Sequence, residues 1–167
     1  MTRTELRRGS DVKEHILAAI VSSRVQSDTL SGRLQIKLFL SRYFAHVPYE
    51  DLQGRDEKTM ARAALAHLEF GARRKKGKPL IRFFNPTLEE HGYESAFSFI
   101  EMVNDDMPFL VDSVLAAINR QGLTVHITVH PVIRVQRNKQ GKIETIAAPD
   151  SGVGHLESFI RFAIDKD

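Results

Sequence analysis

Residues 96–137, AFSFIEMVNDDMPFLVDSVLAAINRQGLTVHITVHPVIRVQR, decide the fold. An apolar run (Phe97, Phe99, Ile100, Met102, Val103) halts at Asn104-Asp105-Asp106. A helical pattern opens around Pro108, where proline's missing N–H is harmless because the first helical turn has no partner for it. Leu110, Val114 and Ile118 form one i, i+4 row with Val111 and Leu115 beside it, so this helix buries a broad face against something flat. Gly122 ends it, since glycine enters left-handed backbone without a Cβ clash. From Leu123 the period drops to two, with Val125, Ile127 and Val129 alternating with Thr124, His126, Thr128 and His130 until Pro131 interrupts. The stretch reads β-α-β. A β-α-β unit with a parallel sheet is half of a nucleotide site or half of a ferredoxin-like sandwich, and the turn separates the two. A dinucleotide site needs glycines so that backbone can approach a pyrophosphate, whereas Asn-Asp-Asp-Met-Pro presents two carboxylates that would repel one.

Upstream, a first helix is expected from Asp11 to Gln26 after a frayed start at residues 1–10, with Ile16, Leu17, Ile20, Val21 and Val25 as its apolar stripe. A second follows Ser31-Gly32, with Leu34, Leu38, Phe39, Tyr43 and Phe44 toward the interior, and ends near Val47-Pro48. Pro48 to Leu52 reads as a loop. A third helix is expected from Asp56, as N-cap, to Lys75, with Met60, Ala64 and Leu68 in register. After Pro79 the helical period vanishes, and Leu80-Ile81-Arg82-Phe83-Phe84 has the continuous apolar character of a buried strand. Thr87 to Ser95 reads as a loop. Beyond Arg137, the turn Asn138–Gly141 folds Lys142 to Ala147 back as a hairpin partner. After a loop from Ala148 to Gly154, a last strand is expected from Leu156 to Ile164, with Leu156, Ser158, Ile160, Phe162 and Ile164 on one face.

The 167 residues suffice for one domain with a helical appendage and a real core. Hydrophobic residues make up 42% and charged residues 27%, the proportions of a globular protein. With no cysteine, disulfides and thiolate metal sites are excluded. No apolar run approaches the roughly 20 residues of a membrane helix, and the polar start is not a signal sequence, which points to a cytoplasmic protein without a membrane partner. Net charge is +3, from 24 basic and 21 acidic residues, too even to announce nucleic acid. The run Arg73-Arg74-Lys75-Lys76-Gly77-Lys78 could contact phosphates, but without interleaved aromatics it reads first as a solvated helix end and linker.

Three constellations carry possible chemistry. Asp105, Asp106 and Asp112 could hold a metal or contact the ammonium group of an amino acid, whereas Asp105 and Asp106 could simply cap the helix N-terminus; capping demands least, and no substrate phosphate is there to complete a magnesium site, so no metal is assigned. His126 and His130 share a strand face but stand roughly 13 Å apart at about 3.3 Å per residue, too far to ligate one zinc ion. Glu101, mid-strand among Phe97, Phe99 and Val103, would be costly if buried alone, so a partner such as Arg134 or Arg161 is expected. No nucleophile motif, P-loop or dinucleotide fingerprint is present, and no catalytic residue is assigned.

NDDMPFLVDS at 104–113, HPVIRVQR at 130–137, FNPTLEEHGYES at 84–95 and ALAHL at 64–68 together resemble the N-terminal region of the large bacterial NAD-specific glutamate dehydrogenases. The resemblance covers about residues 34 to 165; it departs at Phe97-Ser98, where that family favours a His-Thr pair. It implies an α+β fold: a helical N-terminal segment, residues 1–78, followed by an ACT-like, ferredoxin-like βαββαβ sheet, residues 79–167, incomplete at its C-terminus. It implies a non-catalytic regulatory or assembly region with no cofactor of its own, within an enzyme that oxidatively deaminates L-glutamate with NAD. ACT-type modules elsewhere bind amino acids, so the candidate effector contacts are Asn104, Asp105, Asp106, Met107, Pro108, Phe109, Asp112 and Gly122. Self-association through sheet edges is expected, because a module lacking its last helix and strand leaves backbone groups unpaired and Leu123 to Arg137 is a long template. The alternative is a free-standing interaction or nucleic-acid-binding domain using residues 73–78.

Overall fold

A computed structural model describes residues 3–22 and 30–166. The elements in order are α1 (Arg3–Ser22), α2 (Leu30–Tyr43), α3 (Tyr49–Leu52), α4 (Glu57–Gly71), β1 (Leu80–Phe84), α5 (Leu88–His91), β2 (Ser98–Asp105), α6 (Leu110–Arg120), β3 (Val125–Val129), β4 (Val132–Arg137), β5 (Ile143–Ala147) and β6 (His155–Ile164). The fold is α+β, as expected. Helix α1 starts eight residues earlier than the periodicity suggested, while the expected end at Gln26, with Val25 and the side chains of Ile20 and Val21, lies outside the described residues.

One sheet holds all six strands in the order β1-β2-β6-β4-β5, with β3 also on β6. Every pairing is antiparallel. The expected parallel pair is therefore absent among the described strands: β2 and β3 do run in the same direction, but β6 lies between them and pairs with both, which makes a split β-α-β unit. Strand β1 occupies the edge beside β2 that a βαββαβ sandwich gives to its last strand. That edge is thus covered from within the chain. The long strand expected from Leu123 to Arg137 breaks at His130-Pro131 into β3 and β4, and β5 covers the outer side of β4.

The sheet separates two apolar layers. On one face, Ile16 of α1, Phe39, Leu40 and Tyr43 of α2, and Met60 and Ala64 of α4 pack with Val103, Val129, Ile133 and Phe159 of the strands. On the other, α6 lays Leu110, Val111, Val114, Leu115 and Ile118 over Met102, Ile160, Phe162 and Ile164. Both faces of β6 are buried, which suits its apolar residues Phe159, Ile160, Phe162, Ala163 and Ile164 and requires partners for its buried Glu157 and Arg161. A register shift between Val125 and Ile127 sends Val125 to the α6 layer and Ile127 and Val129 to the other, so the three do not share a face as simple alternation implied.

Several local expectations need correction. Pro48 opens a short helix, α3, rather than a loop. The segment after Thr87 holds a helical turn because Thr87 accepts a hydrogen bond from the Glu90 N–H and Gly92 closes it at φ 73°, a Thr-x-x-Glu capping pattern read as loop. Asp56 caps α4 as expected, accepting from the Thr59 N–H, but the helix stops at Gly71, not Lys75. A Cβ at Gly71 would lie 2.6 Å from the Phe159 ring, so only glycine lets the helix end pass this close to the sheet. Leu34 is 59% exposed rather than interior. Ile81 and Phe83 of β1 are 61% and 64% exposed, because the single helix on their face packs over β2 and β6 and does not reach the edge strand.

Candidate functional site

The turn from Asn104 to Phe109 joins β2 to α6, and its carboxylates look inward to the fold rather than forward to the helix. Asn104 is buried opposite Ser158. Asp105 accepts from Arg74 Nη2 at 2.5 Å and from the Gly77 N–H at 3.1 Å. Asp106 accepts from the Ser158 hydroxyl at 2.7 Å. Neither caps α6, contrary to the reading that demanded least. The N-cap is Phe109, without a side-chain hydrogen bond and in left-handed backbone at φ 61°, a strained conformation for a bulky residue. Met107, Pro108 and Phe109 are exposed, Phe109 by 78%, and Asp112 is exposed in the first turn of α6. Gly122 lies beyond the far end of that helix at φ 75°, remote in sequence and element position from the turn.

Behind the turn lies a charge network that sequence reasoning missed. Arg74 is 1% exposed and donates to Asp105 and, at 2.7 Å, to Glu157. Arg137 grips both oxygens of Glu157 at 2.8 Å and donates to the carbonyls of Gly71 and Gly141. Burial alone would raise the Glu157 carboxyl, but the Arg137 and Arg74 guanidiniums outweigh it and pull the pKa down to about 2. The basic run is therefore not uniformly solvated, and Arg74 belongs to the interior. Asp105, His155 and Glu157 bring one ligand atom each within 4.8 Å of one another. Arg74 already sits between the two carboxylates, so a cation is present in the place a metal would need, and the group does not fit a metal site.

The second cluster lies further along the same face of β2 and β6. Glu101 is 0% exposed and pairs across the strands with Arg161, as one of the two expected arginines; the other, Arg134, donates instead to the carbonyls of Pro149 and Val153. Arg82 of β1 was not foreseen: its Nε and Nη2 reach Glu101 Oε2 at 2.8 and 2.6 Å. Arg161 Nη1 approaches Glu101 Oε1 at 3.3 Å, its Nη2 donates to the Tyr93 hydroxyl at 2.9 Å, and its guanidinium lies 3.9 Å from the centre of the Phe99 ring. His67 bridges the Tyr43 hydroxyl and the Met102 carbonyl, and burial pushes its pKa down to about 4, so it is neutral at pH 7.

Arg161 also lines a cavity of about 330 Å³ between α2, α3, α4 and the sheet. Its walls include Phe44, Leu52, Met60, Ala63 and Ile127, and Asp51, Arg55, Asp56 and Glu94 lie around it. His126 and His130 do not meet: His126 contacts Asp165 at 2.6 Å and His130 contacts the Ser158 hydroxyl at 3.0 Å. Among the described residues no helix is long and apolar enough to cross a membrane.

Comparison with known proteins agrees with this fold and adds a family. The family described as "Glutamate dehydrogenase, ACT1 domain" matches residues 39–167. The NAD-specific glutamate dehydrogenase of Halomonas elongata is 33% identical over 148 residues, covering 87% of this chain and 9% of that protein. That of Pseudomonas aeruginosa is 30% identical over 134 residues, covering 79% of this chain and 8% of its own length. The chain thus spans less than a tenth of the curated relatives it matches, and no solved structure matches it. With the α+β sheet, the split β-α-β unit and a match over most of its length, the chain belongs to the ACT1-domain family of the glutamate dehydrogenases.

Proposed function

We propose that this chain is a non-catalytic regulatory and assembly region of an NAD-specific glutamate dehydrogenase, whose full-length form oxidatively deaminates L-glutamate to 2-oxoglutarate and ammonia with NAD. The observation that carries the reading is an apolar surface on a region matching under a tenth of its relatives: Ile81 and Phe83 on β1, and Phe109 at the start of α6, stand exposed. Ile81 and Phe83 lie two residues apart on one face of the edge strand, and exposed apolar side chains of this kind suit contact with another part of a large enzyme or with a second copy. Of the residues chosen from sequence as effector contacts, Met107, Pro108 and Phe109 are the exposed tip, whereas Asp105 and Asp106 are engaged with Arg74 and Ser158.

The test is the pair Ile81→Asp and Phe83→Asp in the full-length enzyme. Subunit assembly or the response to amino-acid effectors should be lost while kcat per assembled site and KM for glutamate stay within about twofold. Unchanged assembly and effector response would defeat the proposal, as would a hundredfold or so fall in kcat in intact assemblies, which would put the region in the catalytic machinery. Self-association through strand edges belongs to the same proposal. The outer sides of β1 and β3 have no strand partner among the described residues, and sedimentation at several concentrations should show dimers.

A further inference from the structure

We propose that the cavity between α2, α3, α4 and the sheet binds a small organic monocarboxylate with an apolar body, its carboxylate held by Arg161. The first support is a charge imbalance. Arg82 and Arg161 share the single carboxylate of Glu101, and the other polar side chains packed against them, His67, Tyr43 and Tyr93, are neutral. Arg82 makes the close double contact with Glu101, while Glu101 Oε1, facing Arg161, is buried and accepts no hydrogen bond among the described residues. Two guanidiniums on one carboxylate leave the cluster one positive charge in excess, and a buried charge without its full complement is costly.

The second support is position. Arg161 is 6% exposed and lines the cavity. Its guanidinium is fixed from below by the Phe99 ring and at one nitrogen by the Tyr93 hydroxyl. A guanidinium carries five N–H donors in a planar fork, which leaves donors for a carboxylate arriving from the cavity. The third support is shape. About 330 Å³ with apolar walls such as Leu52, Met60 and Ile127 holds on the order of ten non-hydrogen atoms, at about 30 Å³ for each water displaced. The ligand is thus a short aliphatic acid with or without an amino group. In the amino-acid case the ammonium would turn toward Asp51 and Glu94, which stand nearer solvent. This inference does not depend on the regulatory reading, since it concerns binding to this chain alone.

The experiment titrates the chain by calorimetry with 4-methylpentanoate, with L-leucine, which adds an ammonium to the same skeleton, and with 4-methylpentan-1-ol, which lacks the charge. At least one carboxylate should bind saturably at one site per chain, with the alcohol about tenfold weaker or more. A preference for leucine would identify the zwitterion as the ligand form, and a preference for 4-methylpentanoate the simple acid. Arg161→Gln should weaken binding by about tenfold or more. Because that variant also disturbs Glu101, Ala63→Leu provides a second arm: it adds volume at the cavity wall while keeping every charged group of the cluster, and should abolish binding while circular dichroism stays unchanged. The proposal is overturned if neither carboxylate binds, if the alcohol binds equally well, or if folded Ala63→Leu protein binds with unaltered affinity.

Discussion

At the scale of single residues, the decisive partners are arginines that meet carboxylates far away in the chain. Arg74 reaches Glu157 across 83 positions, and both side chains are fully buried. Removing one member of such a pair strands the other charge, so Arg74→Ala should cost about 3–5 kcal/mol in urea unfolding; a loss below about 1 kcal/mol would mean the network is solvated like a surface pair. Acid should act in two windows. The folded pKa of His67, about 4, lies below the ordinary 6.5, so between those values the unfolded chain takes up a proton that the folded one refuses, and stability falls as pH drops through this range. Glu157, at about 2 against 4.5, contributes stability that is whole above pH 4.5 and lost as pH falls toward 2. Each limb is on the order of 3 kcal/mol. Thermal melts from pH 7 to 2.5 should show both, and His67→Gln should flatten the upper limb alone. A single transition confined below pH 4 in the parent chain would contradict the assignment of His67.

At the scale of elements, α6 starts without a side-chain cap, as the short α3 does. Phe109 holds left-handed backbone while its side chain stands in solvent, so it receives no packing in return for its strain. Phe109→Gly should therefore raise stability by up to about 1 kcal/mol despite the greater freedom of glycine in the unfolded chain. A loss of stability would show that the Phe109 ring contributes packing. Local chemistry explains the other elements. Asp56 caps α4, Asn138 organises the β4–β5 turn by accepting from the N–H groups of Gln140 and Lys142, and Gly141 sits where a Cβ would meet the Arg74 carbonyl at 2.3 Å.

At the scale of the whole molecule, the helices upstream of residue 79 and the sheet share one core. Phe39 stacks edge-on against Phe159 with ring centres 5.4 Å apart, and His67 of α4 bonds the carbonyl of Met102 in β2. A chain beginning at residue 79 would expose Val103, Val129, Ile133 and Phe159 together. Such a chain should show no cooperative melting transition by circular dichroism. A sharp melt near that of the parent would establish the sheet and α6 as an independent unit.

Local signals sufficed for the strand–turn–helix of residues 97–120, the Asp56 cap, the turn at Asn138–Gly141 and the last strand, because each depends on side-chain period or on a residue's own backbone preference, whereas the α+β class came from the resemblance. The same periodicity could not say that β6 would lie between β2 and β3, since strand order is chosen by long-range pairing that leaves no mark within a strand. Nor could it sort six neighbouring residues, 73–78, into one buried arginine and a solvated remainder: burial of Arg74 depends on Asp105 and Glu157, which only the folded sheet brings to it. Glu101 announced that it needed a cation, as an isolated carboxylate among apolar residues must. That it would draw two, and that Arg161 would also line a cavity, was decided by tertiary structure, because β1 places Arg82 on one side of Glu101 while β6 places Arg161 on the other.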